Sequence, residues 1–121
     1  MSSQKQLGNL GENLALKYLI KNKYNILNHN YVIKGGEVDV IAFDNTTQEI
    51  VFVEVKTRTS LNYGWPEESV GEKKKQRMDK TAQKYLEDKK YSISQNYRFD
   101  IISIELNFKT RLAKIKQFKY I

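Results

Sequence analysis

Asp39, followed further along by Glu54-Val55-Lys56, is the set of residues in this chain best suited to chemistry. All three lie in residues 35–58, GGEVDVIAFDNTTQEIVFVEVKTR. The runs 37–43 and 49–58 are rich in β-formers and flank the polar cluster Asp44-Asn45-Thr46-Thr47, which is most simply an antiparallel hairpin. Strand alternation puts Glu37, Asp39, Ile41 and Phe43 on one face of the first strand. It puts Ile50, Phe52, Glu54, Lys56 and Arg58 on one face of the second. If Phe43 pairs with Ile50, Asp39 falls opposite Glu54 and Glu37 opposite Lys56, with Cβ atoms about 4.5–5.5 Å apart.

Two carboxylates that close repel unless a cation or a proton separates them. Hard oxygen ligands suit Mg²⁺ or Mn²⁺. Zinc fits poorly, because the chain has no cysteine and His29 is its only histidine, to which no role is assigned. A hydrated magnesium ion there binds a phosphate oxygen, lowers the pKa of its water and stabilises developing charge. Lys56 is placed to orient or help deprotonate the attacking water and to offset phosphate charge. An E-x-K tripeptide alone is common on exposed strands as a salt-bridged pair. The in-phase Asp39, the Gly35-Gly36 lead-in and Glu12 behind Gly8 and Gly11 make this set more than a tripeptide.

Two helices and three further strands must hold this hairpin. Ser3-Gln4-Lys5-Gln6 reads as a capping box. Leu7, Leu10, Leu14 and Tyr18, widened by Ala15 and Leu19, then mark an amphipathic helix ending near Asn22. Gly8 and Gly11 let that helix approach a sheet closely. Glu12, at the edge of the buried face, is either a solvated rim glutamate or a carboxylate lowered into the site. Residues 24–33 form the first strand. The loop 59–68 holds the only Pro and only Trp, and its Tyr63 and Trp65 either pack over the hairpin or stack on bases.

A second capping box, Ser69-Val70-Gly71-Glu72, opens a helix running to about Asp88, with Val70, Met78, Ala82 and Tyr85 inward. Lys74 lies on the inward arc, whereas Lys73, Lys80 and Lys84 point away. Residues 97–108 form a strand, and 112–120 alternate apolar and basic residues, as an edge strand protected by lysines would. The order α-β-β-β-α-β-β describes an α/β domain, residues 1–121, with a mixed sheet flanked by helices.

The formal charge of +7, from 21 Lys and Arg against 14 Asp and Glu, favours polyanionic partners, nucleic acid ahead of membrane. Lys74, with Arg58, Lys73 and Arg77, supplies the candidate nucleic-acid contacts. No apolar run approaches the roughly 18 residues of a membrane span, the N-terminus is too polar for a signal peptide, and cysteine is absent. These features point to the cytoplasm.

The segments GNLGENLALKYL (8–19), GGEVDVIAFD (35–44) and VFVEVKTR (51–58), then Ser69-Val70 before Lys74, and RFDII (98–102), together resemble the YraN-like family of uncharacterised proteins. The resemblance covers nearly the whole chain. That family is similar to the restriction-endonuclease-like, PD-(D/E)XK, superfamily and, within it, to the Holliday-junction resolvases. It implies a restriction-endonuclease-like fold and a Mg²⁺- or Mn²⁺-dependent endonuclease acting on nucleic acid, foremost branched DNA.

On the matching motifs, Asp39, Glu54 and Lys56 would be catalytic, and Asp39, Glu54 and Glu12 would hold the metal. Glu37 would be an accessory acid. A symmetric junction would favour a homodimer. Val32 departs from the pattern, since many members of the family have an arginine or lysine there. The alternative is a non-catalytic nucleic-acid-binding or adaptor module on the same fold, motivated by the outward lysines and by Tyr63 and Trp65.

Overall fold

In a computed structural model that describes residues 4–59 and 70–121, the chain runs α1 (Gln4–Lys21), β1 (Tyr24–Ile33), β2 (Gly36–Asp44), β3 (Glu49–Arg58), α2 (Glu72–Asp88), β4 (Tyr97–Asn107) and β5 (Leu112–Phe118). This is the α/β order expected. The five strands lie side by side in chain order. Only β3 and β4 are parallel, and α2 belongs to the crossover that a parallel pair requires. The central strands are apolar on both faces: residues 50–53 and 101–104 are buried throughout. The lysine-bearing β5 lies at the edge, as anticipated.

The two faces are covered by different helices. Ala15 and Leu19 of α1 pack on Val40, Ala42, Val51, Val53, Ile102 and Ile104. Ala82 and Tyr85 of α2 pack on Val38, Ile41, Ile50 and Phe52. Phe52 anchors this second cluster, with the Tyr85, Tyr97 and Phe99 rings at 5.9, 5.9 and 5.6 Å.

Glycine sets the closeness of both contacts. A Cβ on Gly11 would lie 1.8 Å from Thr57 Oγ1 of β3, and one on Gly36 would lie 2.2 Å from Thr81 Oγ1 of α2. Gly8, expected to share this role, faces open space. Both capping serines, Ser3 and Ser69, and the aromatics Tyr63 and Trp65 lie outside the described residues. The start of α2 differs from expectation. Its N-cap is Gly71, which has no side chain to cap with, and Glu72 supplies negative charge to the first turn instead.

The hairpin register is the expected one, with Phe43 opposite Ile50, but the pairing of β2 with β3 ends at Val40↔Val53. β3 continues alongside β4 as far as Arg58↔Glu105. The two strands of the hairpin therefore fork just beyond Val40. On the other side of β2, the register runs from His29↔Val40 to Tyr31↔Val38, with Asn30 between them at φ 53°. Asparagine tolerates this left-handed backbone, and here it turns the strand over. Val38 consequently packs toward α2, while Val40 packs toward α1.

The far end of the sheet is locked by Arg98. Its guanidinium donates to Asp100 at 3.0 Å, Asp44 at 3.0 Å and Glu49 at 2.7 Å, and also to the Tyr24 hydroxyl at 2.9 Å. Burial works against its charge, but the hydrogen bonds to Asp100 and the acids around it outweigh that and raise its pKa. Among the described residues, no helix is long and apolar enough to cross a membrane.

Candidate functional site

Asp39 sits at the fork. With β2 no longer paired to β3 there, the Val55 N–H has lost its ladder acceptor, and Asp39 Oδ2 accepts it at 2.8 Å. Asp39 is thereby aimed at a cavity of about 670 Å³ between α1 and the end of the sheet. Glu12, Val55, Thr57 and Arg58 line the same cavity. Gly11 is what lets Glu12 come this near, since it seats α1 directly on Thr57.

The expectation that Asp39 shares a face with Glu54 and Lys56 needs correction. The phase of β2 reverses between Val38 and Val40, and Asp39 lines the cavity on the α1 side with Val55 and Thr57. Glu54 keeps the phase of Phe52 and meets α2 instead, where Lys74 Nζ donates to Glu54 Oε1 at 2.6 Å. Asp39 and Glu54 thus reach the fork from its two sides and are not ladder partners.

They remain close enough to feel one another. Burial pushes the Asp39 carboxyl up from 3.8 to about 6; the Val55 N–H works against this, and the negative charges of Glu54, Glu12 and Glu37 add to it. Glu12 is also raised, chiefly by burial, with His29 opposing and Glu37 adding. His29 and Glu12 line one small cavity beneath α1. Periodicity alone could not have joined two residues so far apart in the chain.

The basic residues divide. Arg58 faces the Asp39 cavity. Lys74 and Arg77 line a second cavity, of about 380 Å³, together with Gly36 and Glu37. Lys73 is exposed on the first turn of α2 and lines neither cavity. Lys56 is half-buried on β3, opposite Ser103 of β4. Ser103 Oγ is buried with no hydrogen-bond partner among the described residues. Lys74 is on the inward arc as expected, and the ion pair it makes there could not have been read from α2 alone.

Among the described residues, no three histidine or acidic side chains stand together tightly enough to hold an ion as they are. Asp39 is engaged by Val55 and Glu54 by Lys74. The donor set nevertheless suits a hard divalent cation. It is all carboxylate oxygen, it is supplied by β2, β3 and α1, and its mutual repulsion is what such a charge would relieve. Asp39 and Glu54, with Glu12, are the residues that would hold it.

A family model described as uncharacterised protein family UPF0102 matches residues 11–104. This chain belongs to that family. Similar relatives include a UPF0102 protein of Caldicellulosiruptor bescii, 45% identical over 118 residues covering 95% of each chain. A UPF0102 protein of Geobacter metallireducens is 46% identical over 100 residues, covering 83% of this chain and 80% of its own. The span matched to UPF0102 contains Glu12, Asp39, Glu54, Lys56, Lys74 and Arg98, that is, the whole fork and the buried lock at the opposite end of the sheet.

Proposed function

We propose that this UPF0102 chain is a cytoplasmic, Mg²⁺- or Mn²⁺-dependent endonuclease that hydrolyses phosphodiesters in nucleic acid, DNA before RNA and branched DNA in particular. The observation that carries the proposal is that Asp39 and Glu12 line one cavity at the fork, with Glu54, paired to Lys74 on the basic side of α2, near enough to act on Asp39. A structural salt-bridge network does not need a fork. Ending the β2–β3 ladder early forgoes backbone hydrogen bonds, and one of them is replaced by a carboxylate that burial and its neighbours both disfavour as a charge.

A bound divalent cation would supply Lewis-acid stabilisation of the phosphate charge. The protein's own residues supply the rest. Asp39 and Glu54 present oxygens from β2 and β3, and Glu12 presents another from α1. Lys56, on the strand that carries Glu54, orients the attacking water and offsets negative charge as the phosphorus is attacked. Arg58 and the α2 residues Lys74, Arg77 and Lys73 hold the backbone phosphates on either side. The net charge of +7 draws the polyanion in.

Cleavage of end-labelled four-way junctions, flaps, single strands and duplexes, with Mg²⁺ or Mn²⁺, tests this. Wild type is expected to cut at least one substrate, and Asp39→Asn and Lys56→Ala to abolish cutting. Equal cleavage by the variants would refute it. Salt-sensitive binding that is indifferent to EDTA, without cleavage, would instead support a non-catalytic nucleic-acid module, the reading favoured by the exposed Lys73, Lys80 and Lys84 of α2.

A further inference from the structure

In the contact between Glu54 and Lys74, a carboxylate of the fork is already neutralised by a cation of the protein. The pair joins two elements far apart in sequence, β3 and α2, at 2.6 Å. Its two ends differ in exposure: the Glu54 side chain is 15% exposed and that of Lys74 is 41% exposed. Glu54 is thus held largely inside, whereas Lys74 arrives along its stem from the open cavity that it lines with Arg77. A side chain exposed along so much of its length can swing away without unfolding anything, while the Glu54 carboxylate, held inside, cannot follow.

We infer that Lys74 is an exchangeable counter-ion: it occupies Glu54 in the resting protein and transfers to a backbone phosphate of the nucleic acid, releasing Glu54 to a divalent cation. This rests on the reading of the fork as a cation site and adds to it the order in which the charges are exchanged. Lysine suits such a role. It is a compact point charge on a flexible stem, with no fixed fork to hold it to one carboxylate. Arg77, one helical turn further along the same cavity, stays to receive the adjacent phosphate.

The exchange has a consequence that a structural ion pair lacks. Removing Lys74 should move two affinities in opposite directions. Without its competitor, Glu54 becomes available, and Mn²⁺ should bind Lys74→Met about fivefold more tightly than wild type. Without its phosphate contact, the variant should bind DNA more weakly, and its log–log salt slope should be shallower by about 1. Lys74→Arg keeps the charge and should restore the DNA slope. In wild type, cation and DNA should each tighten the binding of the other, by the same factor.

Mn²⁺ titration by calorimetry measures the first affinity. Anisotropy of a fluorescent four-way DNA junction in EDTA over a salt series measures the second, and circular dichroism confirms that Lys74→Met is folded. Tighter Mn²⁺ binding with weaker DNA binding supports the exchange. Unchanged or weaker Mn²⁺ binding by Lys74→Met, with wild type binding normally, overturns the exchange and leaves the cation site standing. No Mn²⁺ uptake by either protein overturns both.

Discussion

Replacing Asp39 by asparagine should stabilise the protein, and the gain should depend on pH. Asp39 is held in the folded chain with its pKa near 6 against an ordinary 3.8, first by burial and then by the charges of Glu54, Glu12 and Glu37. Between about pH 4 and 6 the folded state therefore keeps a proton that the unfolded chain has released. The contribution of this group is most favourable below the unfolded pKa and is lost as pH rises through about 6. At pH 8 the ionised carboxylate costs up to about 3 kcal/mol.

Asparagine is neutral at every pH, and its side-chain oxygen can still accept the Val55 N–H that Asp39 takes at 2.8 Å. Asp39→Asn should then exceed wild type by about 1–3 kcal/mol at pH 8, with the difference vanishing below about pH 4. Urea denaturation in EDTA across that range reads it directly, and each kcal/mol should appear as about 4 °C in Tm for a chain of this length. A variant equal to or less stable than wild type at pH 8 would refute the claim that the fork holds this charge at a cost. The same loss of stability at every pH would show that Asp39 serves only the Val55 hydrogen bond.

Two further perturbations address how the site is held. Gly11→Ala puts a methyl where Thr57 Oγ1 lies 1.8 Å away, so α1 must lift from β3. About 1–3 kcal/mol should be lost in denaturant melts, with Thr57→Ser restoring little because the clash is with the oxygen; Gly8→Ala, in open space, should be neutral or mildly stabilising. Arg98→Met strips the shared partner from Asp44, Asp100 and Glu49 and should cost about 3–5 kcal/mol, seen as loss of the cooperative transition or a large drop in its midpoint.

Much of this architecture is legible in the residues themselves. The spacing of Leu14, Ala15, Tyr18 and Leu19 marks the inner face of α1, and the pairing of Phe43 with Ile50 follows from the polar turn between them. Alternation failed at Asp39, around which Val38 and Val40 pack to opposite faces, and at Arg58, which lines the Asp39 cavity instead of keeping to the side of Glu54. A period of two assumes an unbroken strand, and here the phase of β2 reverses between Val38 and Val40, beside the left-handed Asn30 of β1. An asparagine in a β-rich run is a faint signal, because asparagine is equally at home in an ordinary edge strand or turn.

The Glu54–Lys74 pair and the Arg98 cluster were hidden for a different reason. Each joins groups on separate elements, so no local period contains them. RFDII stood out only as a resembling segment, and the structure shows why Arg98 is there: it neutralises acids contributed by β2, β3 and β4.

The central claim is that Asp39 and Glu54, with Glu12, form a site for one divalent cation. Calorimetric titration of wild type with Mg²⁺ and Mn²⁺, beside Asp39→Asn and Glu54→Gln, tests it most directly. One ion bound per chain by wild type and none by either variant is the result expected. Absence of uptake, or uptake that survives the loss of Asp39, would contradict it.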